Sequence, residues 1–302
     1  MQPEEKPPIC DYEGSDYQSV FWDRGYRTYE DRVEAVALRR LLPSGGELLL
    51  ELGAGAGRNT PRYQGFERVV LLDYSLSQLN QAQERLGDTD RYIYVAADIY
   101  RLPFVDGLFN AATMIRVLHH MVDPPQALTS IRRVLLPGET FILEFANKRN
   151  LKAILRYLLG RQDWDPFTLE SVEFVPMNFD FHPKTVHAWL RQAGFSVERQ
   201  LTVSHFRLAW LKRIMPVGVL VALDSLAQWT GAWWQLTPSV FLQARAVGDT
   251  VIAKPGEFFR CPACEHAPLE KKSGELRCSN CSSVWPIRNG VYDFRTTSRR
   301  DD

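Results

Sequence analysis

The run Leu48-Leu49-Leu50-Glu51-Leu52-Gly53-Ala54-Gly55-Ala56-Gly57-Arg58-Asn59 constrains this chain more than any other stretch. Apolar residues, an acid and then three alternate glycines read as a buried strand, a tight turn and a helix start. Glycines let a ligand approach the backbone closely, and a helix beginning there aims free amides at it. Many nucleotide sites share that pattern. In the dinucleotide fingerprint G-x-G-x-x-G/A, the third small residue permits close helix–strand packing. Counting from Gly53, that place is held by Arg58, and a large cation there argues against a dinucleotide.

The flanking segments give the turn its context. Glu30–Leu42 carries apolar residues at helical spacing and stops at Pro43-Ser44-Gly45-Gly46. The pattern then predicts strands at 47–52, 69–73, 92–97, 109–115 and 140–145. Between them it predicts a helix starting at 59 and helices at 77–86 and 124–135. Beyond, it predicts helices at 151–159 and 183–193, a loop over 164–180, and strands at 195–203 and 244–254. Such alternation implies a doubly wound α/β domain with helices on both faces of a parallel sheet. Its ligand then sits at the C-terminal ends of the strands. Asp73 and Asp98 end the second and third strands. Either alone could be a loop acid capping the next helix. Together with Glu51 and the glycine turn, they point to one shared pocket.

Glu51-Leu52-Gly53-Ala54-Gly55-Ala56-Gly57 resembles motif I of the class I S-adenosylmethionine-dependent methyltransferases. Leu71-Leu72-Asp73-Tyr74-Ser75, Ala97-Asp98-Ile99 with Leu102-Pro103-Phe104, and Arg116–Pro124 resemble later motifs of that family. Arg132-Arg133-Val134-Leu135-Leu136-Pro137-Gly138 is similar to its R-V-L-K-P-G-G turn. The likeness is dense over 30–145 and looser over 183–205 and 244–254. It implies a Rossmann-like seven-strand methyltransferase sheet and an enzyme that uses S-adenosylmethionine. It also implies that Asp73 takes the ribose hydroxyls, Tyr74 flanks the adenine, Asp98 accepts from the adenine amino group and Ile99 packs on the ring. Gly53, Ala54, Gly55 and Gly57 form the turn, Glu51 supports it at the amino-acid end, and Arg116 lies beside the methionine part.

His119 and His120 follow the fourth strand, near where the transferred methyl belongs. Each is a candidate general base, and a histidine that merely orients the loop is the competing reading. No Asn/Asp-Pro-Pro-Tyr/Phe motif occurs, which argues against a DNA base as acceptor. Residues 206–245 form an apolar insert before the last strand, where the family usually has a short hairpin. Its run Ile214–Leu223 is too short to span a bilayer. A helical cap over the acceptor is the favoured reading, against a membrane-surface helix pair giving peripheral membrane contact, or a subunit interface. Tyr17, Phe21, Trp22, Tyr26 and Tyr29 read either as a lid on the cofactor or as a helix on the sheet edge.

Cys261-Pro262-Ala263-Cys264 and Cys278-Ser279-Asn280-Cys281 have the spacing of two knuckles on one tetrahedral zinc, with Gly274 turning a hairpin between them. Met1–Pro8 shows no basic-then-apolar leader. The expectation is a cytoplasmic protein, peripheral to the membrane at most. Paired cysteines there favour metal over disulfides, and Cys10 stands alone. Phe259–Phe294 resembles the small zinc-ribbon proteins that activate tRNA and protein methyltransferases. Val284-Trp285-Pro286-Ile287-Arg288-Asn289-Gly290-Val291 is close to their Y-P-I-x-[DN]-G-I-P, and Tyr292 departs from it. That resemblance implies structural zinc and a ribbon that guides a macromolecular acceptor or covers an apolar face. The expected layout is a lead-in over 1–29, a methyltransferase domain over 30–255, the zinc ribbon over 256–295 and a disordered tail over 296–302. Lys plus Arg and Asp plus Glu both number 36, so no broad field draws the chain to nucleic acid. The favoured acceptor is a hydrophobic small molecule, such as a lipid or quinone, and the alternative is RNA or protein presented by the ribbon. A non-catalytic protein that uses the fold to bind a partner is the contrasting class.

Overall fold

β1 (Gly46–Leu52) lies at the middle of the sheet, in a computed structural model that describes residues 8–9, 13–14, 27–87, 89–249 and 251–299. Parallel to it run β2 (Phe66–Asp73) on one side and β4 (Phe109–Met114) on the other. β3 (Tyr92–Ala96) extends the sheet beyond β2, and β5 (Leu135–Ala146) extends it beyond β4. β9 (Ser239–Ala246) is antiparallel to β5, and β8 (Phe195–Val203) is antiparallel to β9. This is the expected seven-strand sheet. Its inner strands are covered on both faces, which is why they read as continuous apolar runs. Leu49 faces Leu79 and Ala82 of α2 (Leu76–Leu86), in the cluster on one side. Leu48 and Leu50 face the other cluster, which holds Leu128 and Ile131 of α3 (Pro124–Val134) and Leu190 of α5 (Pro183–Gln192). α1 (Thr28–Leu41) packs beside β5, β8 and β9.

Four expectations need correcting. The helix expected at Asn59 is a single 3-10 turn, Thr60–Arg62, because the chain re-enters the sheet at Phe66. The loop expected over 164–180 contains a hairpin, β6 (Val172–Val175) with β7 (Asn178–Asp180). The last strand begins at Ser239, not Ala244. Nearly all its residues are buried, so it lacks an alternating pattern and merges in the sequence with the apolar insert. The insert therefore ends before 239. The tail is ordered at Ser298–Arg299, which pairs with Ser283–Val284.

The insert holds α6 (Ala209–Ile214), α7 (Val217–Ala227) and a 3-10 turn over Gln228–Ala232. Asp224, fully buried on α7, anchors it to α1. It accepts from the Tyr29 hydroxyl at 2.6 Å and the His205 amide at 2.7 Å. Arg40 adds hydrogen bonds to Ser225 and Gln228. Tyr29 thus belongs to this anchor, while Tyr17, Phe21, Trp22 and Tyr26 of the proposed lid, and Cys10, lie outside the described residues.

The ribbon folds as the hairpin of β10 (Glu270–Lys272) and β11 (Glu275–Arg277), followed by β12 (Ser283–Arg288) and β13 (Val291–Asp293). β13 pairs parallel with β3, Val291 opposite Tyr94 and Asp293 opposite Ala96. It is an eighth strand of the central sheet. Phe259 stacks on Phe104 at 5.9 Å, and Phe294 and Trp285 continue the aromatic packing. The main core and the ribbon core are one cluster.

Candidate cofactor cleft and metal centre

A cleft of about 770 Å³, open mouth included, lies at the C-terminal ends of β1 to β4. Gly53, Gly55, Asp73, Tyr74, Asp98, Ile99, Arg116 and His120 line it, so eight residues singled out from the sequence meet there. Gly53, Gly55 and Gly57 all have positive φ. A Cβ on Gly53 would stand 2.1 Å from a Val117 methyl, so no side chain fits. One on Gly57 would meet Leu86 of α2 at 2.8 Å. Gly57, not residue 58, therefore provides the close strand–helix approach. Gly57→Ala, forced into the left-handed region, is expected to cost about 1–2 kcal/mol. The check is a melting temperature lowered by a few degrees with zinc content unchanged.

Both strand-end acids cap and line the cleft at once. Asp73 accepts from the Gly55 amide at 2.8 Å and the Ser75 amide at 2.9 Å, so it ties the glycine turn to the end of β2. Asp98 accepts from the Tyr100 amide at 2.9 Å. The Tyr100 hydroxyl in turn accepts from the amides of Val122 and Asp123, fixing the loop beyond His120.

Glu51 stands behind the turn rather than on the cleft wall. It is buried, accepts from the Thr60 hydroxyl at 2.6 Å and the Tyr63 hydroxyl at 3.3 Å, and burial pushes its pKa up to about 7. Ala54 is likewise buried behind the turn. Arg58 reaches Asp31 at 2.6 Å and Glu34 at 2.9 Å on α1, and Arg62 reaches Asp31 at 2.7 Å. Arg116, at φ 60°, donates its amide to Glu144 and its guanidinium to Glu34. Burial alone would raise the Glu34 carboxyl, but Arg116 and Arg58 override it and hold it below the usual range. Sequence reading missed these acids. Glu30, Asp31 and Glu34 on the first turns of an amphipathic helix were the available signal.

The two histidines differ. His120 lines the cleft, and its Nδ1 lies 3.0 Å from the Met177 carbonyl at the tip of the β6–β7 hairpin. A carbonyl only accepts, so Nδ1 carries the proton and Nε2 is the basic nitrogen. His119 lies tilted against it, ring centroids 4.0 Å apart, with Nδ1 buried and without a hydrogen-bond partner among the described residues. Burial lowers both pKa values, so both rings are neutral at pH 7. Asp180, at the base of the same hairpin, escaped the sequence reading. Burial and the nearby Glu144 push it up to about 6. No residue of the 206–238 insert lines the cleft. The insert packs on α1 and β8 instead of capping this site.

The four cysteines converge with all Sγ atoms within 4.8 Å of one another; Cys261–Cys281 is 3.7 Å and Cys264–Cys278 is 3.4 Å. Tetrahedral zinc with thiolate bonds near 2.3 Å needs sulfur–sulfur spacings of about 3.8 Å. The cluster fits one such ion, and its four sulfurs close the coordination sphere.

Comparison with known proteins decides the family. The methyltransferase domain family matches residues 50–143, and the Trm112p-like family matches residues 257–290. The demethylmenaquinone methyltransferase of Thermobifida fusca (strain YX) is 30% identical over 172 residues, spanning 55% of this chain and 71% of that protein. The chain belongs to the S-adenosylmethionine-dependent methyltransferases. A second methyltransferase of the same name, from Clavibacter sepedonicus, is 27% identical over 205 residues, covering 62% of this chain and 82% of its own. Among solved structures, the complex of the Haloferax volcanii Trm112 methyltransferase activator with a putative methyltransferase superposes with a TM-score of 0.54 at 18% identity. It covers 77% of this chain and 96% of that one. A putative methyltransferase from Listeria monocytogenes gives 0.53 at 16%, covering 73% and 99%. At such identities these two structures speak for the fold. This methyltransferase accordingly uses S-adenosylmethionine, and its Trm112-like part carries a cysteine set suited to zinc.

Proposed function

We propose that this methyltransferase methylates an apolar aromatic acceptor of the quinone-precursor class, at a ring carbon. The observation that carries the reading is His120. It stands on the cleft wall as a neutral imidazole, held through Nδ1 by a hairpin whose outer side chains, Phe174 and Val175, are apolar and exposed. The names of the relatives, demethylmenaquinone and ubiquinone/menaquinone methyltransferases, support it.

Asp73, Tyr74, Asp98 and Ile99 hold the nucleoside end of the cofactor in this reading, and Gly53, Gly55 and Arg116 lie along its amino-acid end. When bound, the cofactor supplies a methyl group on a sulfonium. A hydroxyl on the acceptor ring loses its proton to His120 Nε2, which makes the ring carbon nucleophilic. Attack of that carbon on the methyl would release the thioether, the ring proton would pass to water as the ring regains aromaticity, and the hydroxyl would take its proton back from His120 Nε2. Met121 and Val117 line the cleft beside His120 and would keep water from the reacting face.

The test incubates the purified protein with S-adenosylmethionine and a set of hydroxylated naphthalene and benzene acceptors bearing prenyl chains. Product mass should rise by one methylene unit, in step with S-adenosylhomocysteine. His120→Ala should lower kcat by about 10²-fold and leave S-adenosylhomocysteine affinity within twofold. Because the pKa of His120 is lowered, the base form persists to lower pH. The rate should be flat through pH 7 and fall only below the ordinary imidazole value of about 6.5. No methylation of any such acceptor by protein that binds the cofactor would overturn the reading. A second reading, methylation of RNA or protein guided by the ribbon, draws on the Trm112p-like match at residues 257–290. Methyl transfer to total RNA or lysate protein, absent with the apolar acceptors, would favour it.

A further inference from the structure

α4 (Leu151–Leu158) has its helical faces reversed relative to its neighbours. Only Ala153 is buried, while Leu151, Leu155 and Leu158 form an i, i+4, i+7 stripe that is 49–69% exposed. Leu159 extends the stripe, and Lys152 and Arg156 flank it on the same exposed side. Two aromatic pairs lie between this helix and the hairpin at the cleft. Tyr157 meets Phe167, Trp164 meets Phe174, and the hairpin of Phe174 ends at Met177, against His120. At its other end the helix is tied to the insert by the Leu151 amide and the Leu236 carbonyl, next to the exposed Trp233 and Trp234.

Charge selects the occupant. Residues 147–162 contain five cations (Lys148, Arg149, Lys152, Arg156, Arg161) and no acid, in a chain whose net charge is zero. Residues 204–223, with exposed Trp210 and Ile214 on α6, add Arg213 to these, while Arg207 and Lys212 of the same stretch turn to Glu30 on α1. The acids Asp163, Asp165, Glu170 and Glu173 begin only beyond α4, and Lys148 is turned inward to Thr168 and Glu170. A two-fold contact with a second copy would set these cations against themselves. Exposed leucines on a helix, flanked by basic residues and with tryptophans near one end, are the composition that lies in the interface of an anionic bilayer. Among the described residues no helix is long and apolar enough to cross one.

We propose that α4, with Trp233 and Trp234 beside it, docks this methyltransferase on an anionic lipid surface, with the cleft mouth beside the docked face. The inference gives a route for the apolar acceptor and rests on that reading only for its biological sense. Docking itself requires no methyl transfer.

The test is flotation of the zinc-loaded full chain with vesicles of phosphatidylcholine alone or mixed with phosphatidylglycerol, at low and high salt. The protein should float with the anionic vesicles at low salt, bind the neutral ones at least tenfold more weakly, and be released by salt. Leu155→Glu with Leu158→Glu should lower binding to anionic vesicles at least tenfold. Lys152→Glu with Arg156→Glu should abolish the preference for phosphatidylglycerol. These positions are exposed, so S-adenosylhomocysteine affinity and the circular dichroism spectrum should stay as in the parent. Failure to float with anionic vesicles at low salt overturns the proposal, as does undiminished flotation of the leucine variant. Flotation without methylation of any apolar acceptor would sink the acceptor reading and leave the docking in place.

Discussion

Asp73→Ala is expected to weaken S-adenosylhomocysteine binding by two to three orders of magnitude in calorimetry. The carboxylate has two jobs on the evidence of its position. It anchors the Gly55 amide, and with it the glycine turn, and it lines the cleft where a ribose would present two hydroxyls. A carboxylate accepts at about four positions, so the two amides do not exhaust it. Hydrogen bonds to a charged acceptor contribute about 1.5–3 kcal/mol each. At the lower end of that range, about 1.5–2 kcal/mol each, loss of two costs about 3–4 kcal/mol, and 1.4 kcal/mol is tenfold. Asp73→Asn separates the jobs. Its carbonyl oxygen can still take the Gly55 amide, but its NH2 then faces the Ser75 amide and it offers no charge to the hydroxyls, so it should lower the melting temperature less than alanine does and lose most of the affinity. Affinity of the alanine variant within threefold of the parent would remove Asp73 from the site.

What the sequence revealed and what it hid divide along physical lines. β1 to β4, the turn of Gly53, Gly55 and Gly57, and the cysteine pairs were legible because each is a local pattern. A strand buried on both faces is a short apolar run, a positive-φ turn demands glycine, and a zinc knuckle has fixed spacing. The pairing of Val291–Asp293 with Tyr94–Ala96 joins segments about two hundred residues apart, and nothing local in either one encodes it. β9 was displaced because apolar insert and apolar strand form one unbroken stretch. Arg58 was read as an obstacle to a dinucleotide; its partners Asp31 and Glu34 lie on α1, and only the fold brings them together. His120 was placed by its distance from a motif. Met177, which fixes its tautomer, sits in a segment expected to be a loop.

The other large effect concerns the ribbon. Cys264→Ser with Cys278→Ser removes two of the four sulfurs and is expected to abolish stoichiometric zinc. Metal binding supplies about 10–16 kcal/mol in small zinc modules, far more than the short strands β10 to β12 could replace. With the ribbon unfolded, β13 should leave β3, so amide protection at Tyr94–Ala96 should fall in hydrogen exchange. The loss should reach the cofactor. Arg295, two residues beyond Asp293 and paired with it, donates to the Tyr74 carbonyl at 3.3 Å and lies 5.8 Å over the Tyr74 ring. It also meets Glu13 at 3.2 Å, whose carboxylate accepts the Leu76 and Ser77 amides at the start of α2. Tyr74 lines the cleft, so the Arg295 guanidinium links the metal module to one wall of the site. The cysteine variant should therefore bind S-adenosylhomocysteine about tenfold more weakly, by about 1.4 kcal/mol. Arg295→Ala should reproduce most of that loss while retaining zinc and the protection of Tyr94–Ala96. Full affinity in the arginine variant would confine the ribbon to covering Phe104 and the edge of β3; full protection at β3 in the cysteine variant would show that the strand holds without its metal.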